Sequence, residues 1–276
     1  MTTRRDPRLT PANGHVAHLS LRDSVQAEHY VEGDWARVAR PVADLLRAPF
    51  GPRDRQLLLG ERFLVLDRRE GHAFGQSGRD GYCGWLAESA LGEDAMPTHW
   101  VSAPATHLYP EPRVQAPEIA GLSFGARLTV TGACGAFLET DRGFVPARHL
   151  RAEGETFADP LEVAALFLGT PYLWGGNTRS GIDCSGLAQA SLLACGIPCP
   201  GDSDLQAGIG REIGHNEAPA RGDLLFWKGH VALVEDEDRI VHATGHFMAT
   251  VSEPMQAAID RIAAQGGGPV TARRRP

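Results

Sequence analysis

The chain has 276 residues, 42% of them hydrophobic, which is enough for about two to three domains with real cores. Its formal net charge of −7 argues against nucleic acid or an anionic membrane surface as a partner. No apolar run approaches the ~20 residues needed to cross a bilayer, and an odd number of cysteines without framework spacing fits a reducing compartment.

Residues 1–37 form a polar leader that we expect to pack along the domains that follow it. Within it, residues 23–30 are only weakly helical in pattern, and residues 32–35 predict a turn. The basic residues near the start are followed by no apolar stretch of about seven or more, so no secretory signal is predicted and the expected location is the cytoplasm.

Residues 38–96 and 97–155 are two copies of an internal repeat. Residues 38–49 are echoed at 101–112 and residues 58–65 at 123–130, and each copy closes with a glycine-aromatic segment. Copies of about 60 residues with short alternating strands and glycine or proline turns predict two small β-barrels. Both resemble bacterial SH3-like domains, the first copy more specifically than the second.

A cysteine stands where an apolar run begins. The motif Asp183-Cys184-Ser185-Gly186 opens a segment rich in leucine and alanine that predicts a helix from Cys184 to about Cys195, which Gly196 then stops. A thiol at a helix N-terminus is expected to favour its thiolate, the reactive form. The alternative is that Cys184 is a small buried hydrophobic residue.

Two histidines are candidates for the base that such a cysteine needs. His230 opens the run 230–234, His242 lies in the run 239–243, and acidic residues separate the two runs, which predicts a β-hairpin. If the hairpin is centred on Asp236, the two histidines lie directly opposite each other, with Cβ atoms about 5 Å apart. His230 would then exchange a proton with Cys184 while His242 fixes its tautomer, unless either is an ordinary strand histidine.

No metal site and no cofactor is predicted. Cys195 and Cys199 are spaced like half of a zinc ligand set, but no second pair follows at a suitable interval. The remaining histidines lack a partner pattern and are predicted to be solvated or structural: His15, His18, His29, His72, His99, His107, His149, His215 and His246. The tail, residues 265–276, is rich in glycine and arginine and is expected to end in disorder.

The chain resembles the NlpC-type cell-wall peptidases, which are papain-like cysteine hydrolases that cut peptidoglycan stem peptides. The resemblance rests on five motifs in order: P-Y-x-W-G-G at 171–176, D-C-S-G at 183–186, R-G-D-L-L-F-W at 221–227, H-V-A at 230–232 and I-V-H-A at 240–243. It implies an α+β fold, with a papain-like peptidase domain at residues 156–276 after the two SH3-like β-barrels. It also implies that Cys184 is the nucleophile, His230 the general base and His242 the orienting residue.

The resemblance further implies a substrate. Family members with two such β-domains and no signal resemble γ-D-glutamyl-L-diamino-acid endopeptidases, which require a free N-terminal L-alanine. The expected reaction is cleavage of L-Ala-γ-D-Glu from meso-diaminopimelate or L-lysine in murein peptides during peptidoglycan recycling. The sequence leaves open which diamino acid is used and the oligomeric state.

Several residues match substrate-binding positions of the family: Tyr172, Asp183, Ser185, Asp202, Tyr82 and Glu61. Asp202, with help from Glu61 and Tyr82, would bind the free amine. Simpler interpretations are that Glu61 is a solvated turn carboxylate and that Asp202 caps a helix at Ser203. Gly201 stands where many relatives have an arginine, which puts substrate affinity in doubt more than the chemistry.

Other functions remain open at this point. One is a non-catalytic wall-binding protein, which the joint presence of Cys184, His230 and His242 disfavours. A second is a secreted or phage-delivered endopeptidase that acts on polymeric wall, which the location of the protein in fractionated cells would reveal. A third is an acyltransferase, for which the chain offers no apolar acyl-binding segment.

Overall fold

The computed structural model describes residues 5–214 and 216–276. His215 and the first four residues of the leader lie outside these described residues. The chain groups into two compact units, one ending at Glu153 and one formed by Gly154–Pro276. Within the described ranges, we find no helix with the length and apolarity needed to span a membrane.

The first unit is built from short strands. In chain order they are β1 (Val16–His18), β2 (His29–Val31), β3 (Asp34–Val38), β4 (Val42–Leu46), β5 (Arg53–Leu58), β6 (Arg62–Arg69), β7 (His72–Ser77), β8 (Cys83–Ala87), β9 (Leu91–Gly92), β10 (His99–Val101), β11 (Ala105–Leu108), β12 (Ala120–Ser123), β13 (Arg127–Leu128), β14 (Val130–Cys134), β15 (Phe137–Thr140), β16 (Gly143–Pro146) and β17 (Leu150–Ala152). Single 3-10 turns occur at Leu19–Leu21, Glu88–Ala90 and Ala147–His149.

The first repeat copy forms a seven-stranded antiparallel sheet in the order β5-β4-β8-β7-β6-β3-β9. Its inward side chains, including Leu45, Leu57, Phe63 and Leu86, form one buried cluster. Because β3 begins at Asp34 and pairs with β6, the last residues assigned to the leader belong to this sheet, and the turn predicted at 32–35 extends too far.

The leader packs on that sheet through Val16, which joins Leu64 and Leu66 in a buried cluster. The weak helix predicted at residues 23–30 does not form, because β2 pairs in parallel with β1 there. The second repeat copy also consists of short antiparallel pairs, with its own buried cluster around Val101 and Val145. That this copy is a second SH3-like barrel remains a prediction.

The second unit mixes helices with strands. Its elements are α1 (Pro160–Ala165), β18 (Asn177–Thr178), β19 (Gly181–Ile182), α2 (Cys184–Ala194), α3 (Ser203–Gln206), β20 (Arg211–Glu212), β21 (Leu224–Trp227), β22 (His230–Val234), β23 (Arg239–Thr244), β24 (Ala249–Pro254), α4 (Met255–Ala264) and β25 (Ala272–Arg275). A six-stranded antiparallel sheet runs in the order β20-β25-β21-β22-β23-β24.

Helices cover this sheet. Helix α2 packs on β22 and β23, and α4 packs on β24. Apolar side chains of α4 meet one face of the sheet in a single cluster that includes Leu225, Trp227, Ala232, Val234, Ile240, Met255, Ala258, Ile259 and Ile262. This arrangement of helices and an antiparallel sheet is the predicted α+β fold.

The arginine-rich tail is ordered as β25, which lies between β20 and β21 in the sheet. Arg275 pairs with Asp223 at 2.7 Å and with Glu217 at 2.9 Å, and Arg274 Nε donates to the Ala207 carbonyl at 2.6 Å. The prediction of disorder is wrong, because partners distant in sequence neutralise the arginines and β21 supplies backbone hydrogen bonds.

Candidate active site

One carboxylate organises the start of α2. Asp183 is its N-cap, and Oδ1 accepts hydrogen bonds from the Gly186 N–H at 2.6 Å and the Ser185 hydroxyl at 2.9 Å. The other oxygen, Oδ2, accepts the Gly175 N–H at 2.8 Å. Asp183 therefore caps the helix and also fixes the preceding turn, a role in which an N-cap contributes about 1 kcal/mol.

The rest of α2 follows the sequence prediction. The helix begins at Cys184 and ends at Ala194, and Gly196 has a φ of +76° just beyond the cap. At the other end, a Cβ on Gly186 would lie 2.6 Å from Asn177 Oδ1 and 2.6 Å from the Gly176 carbonyl. The close approach of the turn to the first turn of the helix thus requires glycine at position 186.

Cys184 lies against the beginning of β22. Its residue is 6% exposed, and the N–H of Val231, the neighbour of His230 in the chain, donates to its sulfur together with the N–H groups of Ser185 and of Cys184 itself. Tyr172 lies beside it, since burial and the charges of Cys184 and Asp183 raise the pKa of the Tyr172 hydroxyl.

Burial shifts the pKa values of both Cys184 and His230. It raises the pKa of the Cys184 thiol from 9.0 to about 12, with the Asp183 charge adding to the effect and three backbone N–H groups opposing it. This rise corresponds to about 4 kcal/mol, more than the about 0.3–2 kcal/mol that a helix dipole supplies. Desolvation therefore opposes the expected preference for the thiolate at the helix N-terminus.

The pKa of His230 is shifted in the opposite direction to that of Cys184. Burial, aided by the neighbouring His242 and Arg261, lowers the pKa of His230 to about 3. Both shifts favour the uncharged forms of the thiol and the imidazole. Such an imidazole can act as a base towards the thiol.

The two histidines meet in a register that differs from the prediction. Strands β22 and β23 pair Leu233 with Val241 and Val234 with Ile240, so the hairpin is centred on Glu237 and not on Asp236. Continuing this register sets His242 opposite Ala232, two residues from His230. The expected direct opposition is wrong, because the acidic connection carries no turn signature that fixes its centre.

Diagonal neighbours on one face remain within reach of large side chains. The ring centroids of His230 and His242 are 5.0 Å apart, and Nε2 of His230 lies 2.8 Å from Nδ1 of His242. The predicted imidazole contact is present although the predicted register is not.

The row of polar side chains continues onto β24. Nε2 of His242 lies 2.7 Å from Oε1 of Glu253, and Arg261 of α4 contacts the two Glu253 oxygens at 2.5 and 2.7 Å. Burial alone would raise the pKa of Glu253, but the hydrogen bonds from Arg261 and His242 lower it. Sequence reasoning missed Glu253 and Arg261, since the strand alternation that aligns them with His242 is informative only once the pairing of β24 is known.

Asp202 occupies the N-cap position of α3, but its side chain makes no capping hydrogen bond. The helix predicted to begin at Ser203 after Asp202 is present, and the Gln206 N–H donates to the Asp202 carbonyl at 2.9 Å. Its loop is tied to α2, because Gln206 Nε2 donates to the Ser185 carbonyl at 2.9 Å as well as to Pro200 and Gly201 at 3.0 and 3.2 Å.

Glu61 and Tyr82 belong to the first unit, and both are buried. Glu61 Oε1 pairs with Arg79 at 2.6 Å, and Oε2 accepts the Leu58 N–H at 3.2 Å. Burial raises the pKa of Glu61, although Arg79 and the Leu58 N–H act in the opposite direction. Glu61 is not the solvated turn carboxylate of the simpler interpretation.

One group of residues in the first unit has the composition of a metal site. The ligand atoms of His15, Glu28 and His29 all lie within 4.8 Å of one another, and His15 Nδ1 is 2.8 Å from Glu28 Oε2. Two imidazoles and a carboxylate are a set that can hold Zn²⁺. None of the three belongs to the row formed by His230, His242 and Glu253.

Comparison with protein families matches each unit separately. Residues 169–261 match the NlpC/P60 family, and residues 45–91 match the bacterial dipeptidyl-peptidase SH3 domain. The first match contains the cysteine, both histidines, Glu253 and Arg261.

Individual relatives agree with these matches. A γ-D-glutamyl-L-lysine dipeptidyl-peptidase of Bacillus subtilis is 31% identical over 186 residues, which are 59% of this chain and 60% of the relative. Dipeptidyl-peptidase 6 of Lysinibacillus sphaericus is 35% identical over 98 residues, 36% of each chain. This chain thus spans 60% and 36% of the lengths of these two relatives.

A solved structure shares the fold. The crystal structure of an NlpC/P60 family protein from Bacillus cereus superposes with a TM-score of 0.74 at 20% identity, covering 88% of this chain and 99% of that one. Residues 169–261 thus match the NlpC/P60 family, and residues 45–91, which precede them, match the bacterial dipeptidyl-peptidase SH3 domain.

Proposed function

We propose that this protein is a cysteine endopeptidase that cleaves the γ-D-glutamyl–diamino acid bond of murein stem peptides with a free N-terminal L-alanine. The observation that carries the proposal is the hydrogen-bonded pair His230–His242 on the strands against which Cys184 packs, in a domain of the NlpC/P60 family. The SH3 domain and the dipeptidyl-peptidase relatives support the finer assignment of the bond.

The chemistry begins from the neutral pair. His230 takes the proton of Cys184 as the sulfur attacks the γ-carbonyl of D-glutamate, and the N–H of Cys184 at the helix N-terminus donates to the oxyanion. The imidazolium of His230 then protonates the departing amine of the diamino acid. The thioester L-Ala-γ-D-Glu–Cys184 is hydrolysed by a water that His230 deprotonates, which returns the thiol.

The pocket in this proposal selects a short peptide. Tyr172, Asp183 and Ser185 flank Cys184 and contact the γ-D-glutamyl part, with Asp183 also holding the helix start. Asp202, whose loop is tied to the Ser185 carbonyl, binds the ammonium of the alanine. A desolvated ammonium is costly unless it is paired, so this contact discriminates strongly against an acylated alanine.

A role of Glu61 and Tyr82 in substrate binding stays a prediction, and Glu61 is already paired with Arg79. The proposal also includes a cytoplasmic role in peptidoglycan recycling, in which small murein peptides returned to the cell are the substrates. Immunodetection in fractionated cells tests this location, and a signal confined to the cell-wall fraction would contradict it.

Product analysis by mass spectrometry tests the reaction. The purified protein is incubated with L-Ala-γ-D-Glu-meso-diaminopimelate, its L-lysine counterpart and the N-acetylated form of each. We expect L-Ala-D-Glu to be released only from the free-amine peptides. Equal cleavage of the acetylated peptides would contradict the amine site, and no cleavage of any of them would contradict the proposed substrate.

A matched pair of variants examines the amine contact. Asp202→Asn should raise KM for the free-amine peptide by at least about tenfold with little change in kcat, because it removes a charge-assisted contact of about 1.5–3 kcal/mol. Asp204→Asn, an exposed carboxylate two residues along in α3, is the control and should leave KM unchanged. Equal effects of the two changes would contradict a specific role for Asp202.

A further inference from the structure

Three polar side chains lie in a row across the face of the sheet that α4 covers. Strand alternation sets His230 on the face of Ala232 and Val234, which α4 covers. His242 shares that face with Ile240, and Glu253 pairs with Ile240 across the strands. Each step from His230 to His242 to Glu253 is the same diagonal between neighbouring strands.

The row ends in a bidentate ion pair that α4 supplies. Arg261 donates hydrogen bonds to both oxygens of Glu253. The side chain of Glu253 is 10% exposed, and that of His242 is fully buried. A buried polar network on a hydrophobic face costs stability unless every member is satisfied. Here Arg261 donates to both oxygens of Glu253, and Oε1 also lies 2.7 Å from Nε2 of His242.

We propose that Glu253, held by Arg261, is a positioning residue that sets the tautomers of both histidines and thereby makes Nδ1 of His230 the proton acceptor. This inference rests on the proposed function of Cys184 as a nucleophile and deepens it.

The tautomers follow from the order of donors and acceptors. A guanidinium only donates hydrogen bonds, so Glu253 is an ionised acceptor and Nε2 of His242 must carry the hydrogen. Nδ1 of neutral His242 is then an acceptor, and the 2.8 Å contact requires the hydrogen on Nε2 of His230. The unprotonated nitrogen of His230 is Nδ1, which leaves that atom to receive the thiol proton.

The ion pair gives orientation with little net charge. Arg261 neutralises Glu253, and the charge of Asp183, next to the cysteine, is used by the helix cap. The row therefore differs from a lone carboxylate behind a histidine, which also stabilises the imidazolium electrostatically. Its contribution is the choice of tautomer.

In Glu253→Gln we expect both histidines to carry their hydrogen on the opposite ring nitrogen. Because Arg261 can only donate, it takes the amide oxygen and turns the amide NH₂ towards Nε2 of His242. His242 must then carry its hydrogen on Nδ1 and donate to His230, whose Nδ1 becomes protonated and cannot accept the thiol proton. A wrong tautomer in a related triad lowers turnover by about 10⁴, and we expect kcat here to fall by roughly 10²–10⁴ with KM nearly unchanged.

A second substitution should reverse the first. In the double variant Glu253→Gln with Arg261→Met, nothing holds the amide oxygen, so the amide can rotate and accept from Nε2 of His242. We expect kcat at least about tenfold above that of Glu253→Gln alone. Arg261→Met by itself keeps the carboxylate and should lower kcat by less than about tenfold.

Two readouts do not depend on turnover. Nitrogen-15 NMR of histidine-labelled protein, assigned with His230 and His242 variants, reports which ring nitrogen carries hydrogen. The rate at which iodoacetamide alkylates Cys184 reports whether a base is available to the thiol. Glu235→Gln is the matched control, because Glu235 lies next to the same sheet with an arginine partner, Arg239, but contacts neither histidine.

The proposal predicts hydrogen on Nε2 of both histidines in the wild type, on Nδ1 of both in Glu253→Gln, and the wild-type pattern in the double variant. It is overturned if Glu253→Gln keeps the wild-type tautomers, or if the double variant folds but is no more active and no more readily alkylated than the single one. If the wild type proved inactive on murein peptides, the tautomers and the alkylation rates would still decide the question.

Discussion

Each unit of the molecule contains a buried cysteine and a buried carboxylate paired with an arginine, but only the second unit joins that carboxylate to histidines. In the first unit these are Cys83 and Glu61–Arg79, and in the second they are Cys184 and Glu253–Arg261. Burial raises the pKa of both thiols to about 12. A buried thiol and a buried ion pair therefore do not by themselves mark an active site.

The difference lies in what connects the two features. The side-chain partner of Cys83 is the amide Nε2 of Gln76 at 3.7 Å, which donates and cannot take a proton. Between Cys184 and Glu253 stand two imidazoles, which can do both. The second unit differs because its carboxylate is hydrogen-bonded to a pair of imidazoles on the strands against which Cys184 packs.

The pKa values of the two glutamates are also shifted in opposite directions. Burial dominates at Glu61 and raises its pKa, since the single Arg79 contact is shared with Asp80. At Glu253 the hydrogen bonds from Arg261 and His242 outweigh burial and lower the pKa. The balance between burial and the donors that face each carboxylate decides the direction of each pKa shift.

The largest expected effect concerns the cysteines. Cys184→Ala should lower turnover by about 10⁵ or more, because it removes the nucleophile of a group that acts as a unit. Cys83→Ala should retain turnover within about threefold, since that thiol has no base. Peptide hydrolysis followed by mass spectrometry measures both, and comparable losses in the two variants would contradict the assignment of Cys184 as the nucleophile.

The next effect concerns the arginines. Arg79→Met leaves the buried Glu61 without its guanidinium and should lower the free energy of unfolding of the first unit by about 3–5 kcal/mol. Arg261→Met leaves Glu253 with the His242 N–H and should cost the second unit about 1.5–3 kcal/mol. Urea titration followed through the indole NMR signals of the buried Trp85 and Trp227 reports the two units separately. A larger loss for Arg261→Met would contradict the account of the two glutamates.

The smallest effect is the pH dependence of alkylation. Only the thiolate reacts, and with a pKa of about 12 its fraction rises about tenfold per pH unit throughout the range from pH 7 to 10. Iodoacetamide labelling of Cys184 in the His230→Ala variant should therefore rise at this slope without a plateau, as should labelling of Cys83. A plateau near neutral pH for Cys184 in that variant would show that the helix N-terminus stabilises the thiolate after all.

The sequence predicted best what depends on neighbours in the chain. The helix from Cys184 was predictable because its cap, apolar run and terminating glycine are local, and the α+β class followed from the motifs. The register of the two histidines was not, because pairing depends on a turn whose residues favour no single centre.

Nonlocal effects account for the other misses. The order of the arginine tail depends on Asp223 and Glu217, about 50–60 residues away in sequence. The raised pKa of the Cys184 thiol depends on how completely the fold buries it. Glu253 and Arg261 could not be predicted, because their place beside His242 depends on how β24 and α4 pack.

The most direct test of the account is labelling with an L-Ala-γ-D-Glu derivative that carries a chloromethyl ketone in place of the scissile amide, followed by peptide mapping. Five free cysteines compete for the reagent in this chain. The account predicts one label per molecule, on Cys184, lost in Cys184→Ala and blocked by excess free-amine peptide. Labelling of another cysteine in the wild type at the same rate, or full loss of activity with Cys184 unmodified, would contradict it.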